Sequence, residues 1–359
     1  MSMVHADDGT PGDARQPAAA GPPSAPGPVA AFAQPLGIGL LIALAFVLTY
    51  LAALHKPQPH RLPVGVVAPS GVVVQLQRSL STRAGDAVTL RPVGDVTAAR
   101  HQLQQGQIVA AYLPSQGQAA RLLVAGAQGT AVTQTVTGVF TGVVQGQGGG
   151  TRLQVEDVVP LSAEDPRGSS GFYVIFGVTL AGFIFGQTSH LYSRRLSLGQ
   201  RLVQALGFAV LAGLAGALTA GPLFGVLPGS FAALAGILAL LALATALVTM
   251  SLTALLGDPG IVVATLLLVI LGNATSGGVV AASFLPAGFR QLSPALPAGA
   301  ATQALGRVDY FDAGAALGPL VVLAAWALGG LLVLVVVVSG RRRVRVTALA
   351  EQAGAPSSP

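Results

Sequence analysis

Apolar residues in this chain fall into long unbroken runs, with polar residues confined to the intervals between them. Leu36 to Leu54 holds nineteen residues without a charge, close to the minimum that spans a hydrocarbon core of roughly 30 Å at about 1.5 Å per helical residue. A second run extends from Gly171 to Ser193, and Leu202 to Gly257 contains no Asp, Glu, Lys or Arg over fifty-six residues. One helix cannot use so long a stretch. Leu227, Pro228, Gly229 and Ser230 divide it into two spans joined by a tight turn. Asp258, Pro259 and Gly260 read as the next turn; Ile261 to Gly272 with the less apolar Asn273 to Val280 form a fifth span, and Leu317 to Ser339 a sixth.

Between the first two runs the texture changes. Pro63 to Ala68 reads as a strand, Gly71 to Arg83 has apolar residues at helical spacing, and Ala87 to Pro92 returns to strand. Asp95 is placed to cap a helix whose Val96, Ala99 and Leu103 share a face until Gly106 stops it. Ile108 to Leu113 and Ala119 to Ala125 are strand-like, and Thr130 to Val144 carries the stripe Val132, Val136, Val139, Val143 before glycines 146 and 148 to 150. The predicted fold is therefore an α-helical polytopic membrane protein with six transmembrane helices and a small α/β extracytoplasmic domain inserted between helices 1 and 2. Its expected divisions are a disordered cytoplasmic tail (1–30), transmembrane helix 1 (31–54), the α/β domain (55–170), a five-helix transmembrane domain (171–340) and a basic cytoplasmic tail (341–359). Residues 273–312 are too rich in proline and polar groups for one straight span, so a broken, re-entrant segment is expected there.

Composition agrees with this partition: 52% of the 359 residues are hydrophobic and 9% charged, whereas a soluble domain carries about a quarter charged residues. The net charge of +6 comes almost wholly from arginine, since Lys56 is the only lysine. These arginines sit beside apolar runs, where membrane topology accounts for them better than nucleic acid does. Arg194, Arg195 and Arg201 lie between spans two and three; Arg341, Arg342, Arg343 and Arg345 follow span six. An even number of crossings separates the clusters, so both face the cytoplasm and residues 55–170 face outward. Lys56 and Arg61 oppose this assignment locally, and the denser clusters outweigh them. The mildly acidic, long amino-terminal stretch does not read as a signal peptide, so span one is expected to stay as an anchor.

Candidate chemistry is sparse. Cysteine is absent, which excludes disulfides, thiolate metal sites and cysteine nucleophiles. No Gly-Lys-Ser or Gly-Lys-Thr phosphate loop exists, because Lys56 precedes a proline. Any ATP hydrolysis must come from another chain. The spans hold no Asp, Glu, Lys or Arg of the kind that marks ion-coupled carriers, and His190 reads as interfacial. His5, His55, His60, His101 and His190 offer no zinc-binding spacing, and Ser169, Ser170 and Ser276 lack a nucleophile elbow. No cofactor, metal or catalytic set is expected, and the chain is not read as an enzyme. Gly182 and Gly186 form a Gly-x-x-x-Gly pair, suited either to a dimer contact or to packing inside the bundle.

The most distinctive stretch follows span five: Gly272-Asn273-Ala274-Thr275-Ser276-Gly277-Gly278, then Leu285-Pro286, Ser293-Pro294 and Leu296-Pro297-Ala298-Gly299-Ala300. It resembles the YhgE/Pip-like branch of the ABC type-2 transporter permeases, where such a series precedes the last span. The layout of one span, a large outward domain and five further spans is similar too, and Val64 to Val67 resembles the opening strand of that domain. The resemblance implies an exporter's membrane subunit that works as a homo- or heterodimer, with a separate cytoplasmic ATPase and an apolar or amphipathic substrate. It places Arg194, Arg195 and Arg201 in the ATPase-coupling loop, and Asn273, Ser276, Gly277, Gly278, Pro286, Pro294, Pro297 and Gly299 in the family motif. Residues 1–30 cannot form the amphipathic helix with which such permeases often begin. A non-transporting membrane protein that uses its outward domain as a secretion accessory or surface receptor is therefore the alternative.

Overall fold

The computed structural model describes residues 28–114, 119–146, 152–192 and 195–354. Most of the tail expected over 1–30 lies outside the described residues. Helix α1, Pro28–Leu54, opens the described chain. By internal contacts the chain forms two units that meet within α1, one ending at Leu41 and the other beginning at Ile42.

After α1 come β1 (Leu62–Val66), α2 (Ser70–Ala84), β2 (Val88–Pro92), α3 (Val96–Gln104), β3 (Ala110–Leu113), β4 (Ala120–Val124), α4 (Thr130–Gly146) and β5 (Leu153–Asp157). The strands form one sheet in the order β2-β1-β3-β4-β5, parallel except for the antiparallel β3–β4 pair, which sets Ala110 opposite Val124. β1 reads as a nearly continuous apolar strand because it is covered on both faces. Val64, Val66, Tyr112 and Leu122 point into a core closed by Val73 and Leu80 of α2 and by Val132, Val136 and Phe140 of α4. Ile108, Ala111 and Leu123 face the other way, onto Ala99 and Leu103 of α3. Asp95 does cap α3, accepting a hydrogen bond from the Ala98 amide at 2.7 Å.

Two details depart from the sequence pattern. The buried seam of α4 is Val132, Val136, Phe140 and Val144, with Val139 and Val143 only partly buried. The seam steps by four residues throughout, so the aromatic ring takes the place that valine spacing assigns to Val139. Strand β5 has no counterpart in the pattern, because Leu-Gln-Val-Glu-Asp at a sheet edge is mostly exposed and carries few strand-favouring residues. It pairs in parallel with β4, and its Glu156 accepts from Arg100 Nη2 (2.5 Å) and Arg121 Nη2 (2.6 Å).

The remainder is helical. α5 is Ser170–Leu191, α6 Leu198–Leu218, continued by a π-helical turn to Leu223, and α7 Phe231–Leu256. α8 (Pro259–Ala264), π-helical turns over Thr265–Leu271 and α9 (Gly272–Ala274) then run on as one rod. α10 is Ala287–Leu292, α11 Pro297–Tyr310 and α12 Leu317–Gly354. Five helices among the described residues are long and apolar enough to cross a membrane: Phe32–Leu54, Ser170–Leu191, Leu198–Leu223, Phe231–Leu256 and Ala313–Arg341. This is the arrangement of a multi-pass helical membrane protein. The apolar helix Pro259–Ala274 is shorter, about 24 Å at 1.5 Å per residue. It stops at Ala274 rather than reaching Val280, because Ser276 Oγ turns back to the Asn273 carbonyl (2.8 Å) and Gly277 adopts φ +80°. α12 continues well past Ser339, through Gly340 and the arginine cluster, to Gly354.

α7 is the centre of the bundle, with α5, α6 and α12 packed around it. Small residues let the helices approach closely. A Cβ on Gly186 would lie 2.8 Å from the Ala246 carbonyl and 2.6 Å from Thr249 Cβ, and one on Gly182 would lie 2.9 Å from the Ala242 carbonyl. The Gly-x-x-x-Gly pair is thus spent on packing α5 against α7 inside the chain. On α6 the buried residues Arg201, Ala205, Ala209, Gly213 and Ala217 recur every four positions along the face turned to α7.

Candidate functional site

The segment that leaves α9 and returns as α12 joins the sheet to the helix bundle. At its start, Val280 and Ala281 pack on the sheet core and Phe284, 5% exposed, enters it among residues of β1, β3 and α4. Backbone pairs from the Gln58 amide to the Phe284 carbonyl (3.3 Å) and from the His60 amide to the Ser283 carbonyl (3.0 Å) hold this stretch against the chain entering β1. Leu285 turns toward Ala53 of α1 and Ala274.

α11 follows, and its two faces belong to different partners. Ala298, Ala300, Ala301, Ala304 and Leu305 are buried in the bundle core with Ile175, Leu234 and Leu238. At its far end three side chains reach three separate elements. Arg307 Nη1 donates to the Gln105 carbonyl beside the end of α3 (2.8 Å). Asp309 Oδ1 accepts from the Gly229 amide in the α6–α7 turn (2.9 Å), and the Tyr310 hydroxyl accepts from the Ser162 amide before α5 (3.4 Å). Burial pushes the Asp309 carboxyl up to about 6, although the Gly229 amide favours its charged form. Burial also raises the Tyr310 hydroxyl, and the nearby Asp309 and Asp165 add to the effect.

The motif residues lie along this path. Asn273 is 1% exposed; its Nδ2 donates to the Val269 carbonyl (2.9 Å) while Oδ1 has no partner. Ser276 Oγ also accepts from the Gly278 amide (3.2 Å), and Gly278 lies against Phe172 of α5, where a Cβ would come within 3.0 Å of Phe172 Cβ. Gly277 makes the left-handed turn. Pro286 precedes α10, Pro294 sits in the 3-10 turn Ser293–Ala295, and Pro297 starts α11, where a missing amide costs nothing. Gly299 lies so close to the Ser293 carbonyl that any Cβ would overlap it. The prolines and glycines therefore shape one compact link and do not converge on a chemical centre.

The arginine group is divided. Arg195 is exposed in the α5–α6 connection, Arg201 is 4% exposed on α6, and Arg194 lies outside the described residues. Among the described residues no group of three or more His, Asp or Glu could hold a metal ion. Between α7, the π-helical turns and α12 lies an open apolar groove of about 420 Å³, lined by Val248, Leu252, Leu255, Leu267, Trp326 and Val333 among others. Trp326 Nε1 is held by the Ala295 carbonyl (2.8 Å). Sequence reasoning passed over the Arg307, Asp309 and Tyr310 ties. Their one available signal is that, after Asp165, Asp309 is among very few acidic residues in the chain. Set against known proteins, the chain matches no family model, no curated protein and no solved structure.

Proposed function

We propose that this chain is the membrane subunit of an ABC-type exporter of the YhgE/Pip-like kind, with its ATPase on a separate polypeptide. It crosses a bacterial plasma membrane six times, the short helix Pro259–Ala274 making the fifth crossing, with both termini in the cytoplasm and the sheet outside. Two copies, or one copy and a related subunit, complete the permease. The observation that carries this reading is the link from Thr275 to Phe311. It enters the sheet core at Phe284 and the bundle core at Ala298 to Leu305, and ties both again through Arg307 and Asp309. A domain merely held at the surface needs a tether; a transporter needs its outward domain and its spans to move as one. The open apolar groove beside Trp326 is compatible with an apolar or amphipathic substrate.

The test is recovery of partners from native membranes in mild detergent. A nucleotide-binding ATPase should co-purify with the intact chain and be lost from an Arg194→Ala, Arg195→Ala double variant. Recovery of surface or secretion components without an ATPase would instead favour the receptor or accessory reading.

A further inference from the structure

Arg201 has the wrong surroundings for a resting cation. It is 4% exposed, its Nε and Nη2 have no hydrogen-bond partner, and the ion pairs among the described residues are Arg100–Glu156 and Arg121–Glu156, which leave it alone. An uncompensated buried charge is strongly destabilising. The chain offers little to cure it. Beyond Glu164 and Asp165 its acidic residues are Asp258, Asp309, Asp312 and Glu351. Asp309 is tied to the α6–α7 turn, at the opposite end of α6 from Arg201, and Asp312 is near it in the chain. Asp258, in the turn at the same end as Arg201, is exposed and makes no ion pair.

The position compounds the problem. Ser197 caps α6 through a reciprocal box with Gln200, so Arg201 stands in the first turn of the helix. Backbone dipoles there present partial positive charge, which repels a cation and attracts an anion. A helical side chain in general leans toward the amino terminus of its helix, which is the positive end. On α5, whose end adjoins the connection, Ser189 Oγ is also buried and unpartnered. Arg195, exposed in the connection, adds a second cation near the way in. The unpartnered Arg201 guanidinium is relieved by one added negative group with several acceptor oxygens.

We propose that Arg201 and the first turn of α6 form a binding site for a phosphate group, supplied either by the headgroup of an anionic phospholipid or by a free phosphate. The planar guanidinium fork matches two phosphate oxygens. Arg201 lies at the start of the candidate span Leu198–Leu223, so its long stem can carry the charge to the depth of lipid headgroups. Such a site requires only that the bundle lie in a bilayer and does not depend on an ATPase partner.

The test uses thermal unfolding of the full chain in neutral detergent, titrated with short-chain phosphatidylglycerol, with short-chain phosphatidylcholine, or with sodium phosphate at constant ionic strength. Wild type should gain stability saturably, with a Tm rise on the order of several °C at a hundredfold excess over Kd. A response to phosphatidylglycerol alone assigns the site to an anionic headgroup, and a response to sodium phosphate assigns it to the free anion. Arg201→Met should be at least as stable as wild type without anion and unresponsive to it, while Arg201→Lys should respond more weakly. Absence of any saturable response in wild type overturns the proposal, whether or not the variants fold. An equal response in Arg201→Met overturns it as well.

Discussion

The Asp309 carboxylate accepts a hydrogen bond from the Gly229 backbone amide at 2.9 Å, pinning α11 to the turn between α6 and α7. Gly229 sits so close that a Cβ there would overlap Asp309 Oδ1, so the contact exists only because the turn carries no side chain. Burial holds this carboxyl at about 6, against 3.8 for a free aspartate. Between those values the folded chain binds more protons than the unfolded one. Stability therefore falls as pH rises from about 4 through 6 and stays at the lower level above. The loss is about 1–3 kcal/mol for a shift of this size in a partly buried group. Asp309→Asn keeps an acceptor for Gly229 but cannot ionise, so its unfolding midpoint should be flatter across that interval and no lower than wild type at pH 7. Denaturation followed at pH 4.5, 6 and 7.5 checks this.

Gly186 is in contact with α7 on a side where nothing can yield easily, since Ala246 contributes backbone. Gly186→Leu must force α5 away from α7 and should lower stability by about 1–3 kcal/mol or more, visible as a reduced Tm in detergent. Gly177, where a Cβ would meet no atom within 4 Å, serves as the control: Gly177→Leu should leave Tm nearly unchanged.

Arg307 reaches from α11 to the Gln105 carbonyl and lies against Gly106, whose φ of +64° ends the α3 region. Arg307→Ala should leave overall unfolding within about 1 kcal/mol of wild type, because the residue is only partly buried. Amide exchange at residues 103–108 should nevertheless quicken, while amides of α7 stay protected. Equal acceleration in both regions would show that the tie stabilises the whole fold rather than the joint.

The absence of cysteine makes sidedness directly measurable. Asp258 and Ala287 are both exposed and flank the short apolar helix with its following turn. If that helix crosses the bilayer, Ala287→Cys reacts with an impermeant maleimide on intact cells and Asp258→Cys reacts only after permeabilisation. Ser81→Cys on α2 should behave like Ala287→Cys. Labelling of both flanking sites from one side would reduce the crossings to five and reverse the assignment of one terminus.

The long helices were legible because charge-free runs of twenty or more residues have few alternatives, and Leu227-Pro228-Gly229-Ser230 marked the α6–α7 turn plainly. Asp95 announced the cap of α3. Less was visible where tertiary partners decide the outcome. β5 is a strand because it pairs in parallel with β4, a partner some thirty residues back in the chain, and Arg100 and Arg121 reach Glu156 on it. Phe140 displaces Val139 from the seam because it stacks on Tyr112, with centroids 4.7 Å apart. For the candidate site, the unusual composition of 273–312 signalled a special segment. Its purpose as a joint depended on Arg307, Asp309 and Tyr310, whose partners lie 202, 80 and 148 residues away. No local pattern records such distances.

Phe284 completes a hydrophobic core whose other buried members lie between Leu62 and Val144. During synthesis the sheet therefore emerges with an aromatic-sized hole, which stays open until about 140 further residues have been made, most of them in helices. The buried core of the sheet is complete only once residue 284 has been made, when most of the helix bundle already exists. Maturation of the two parts is thereby forced into step, and a chain truncated before residue 284 would present an unfinished surface to the cell's proteases.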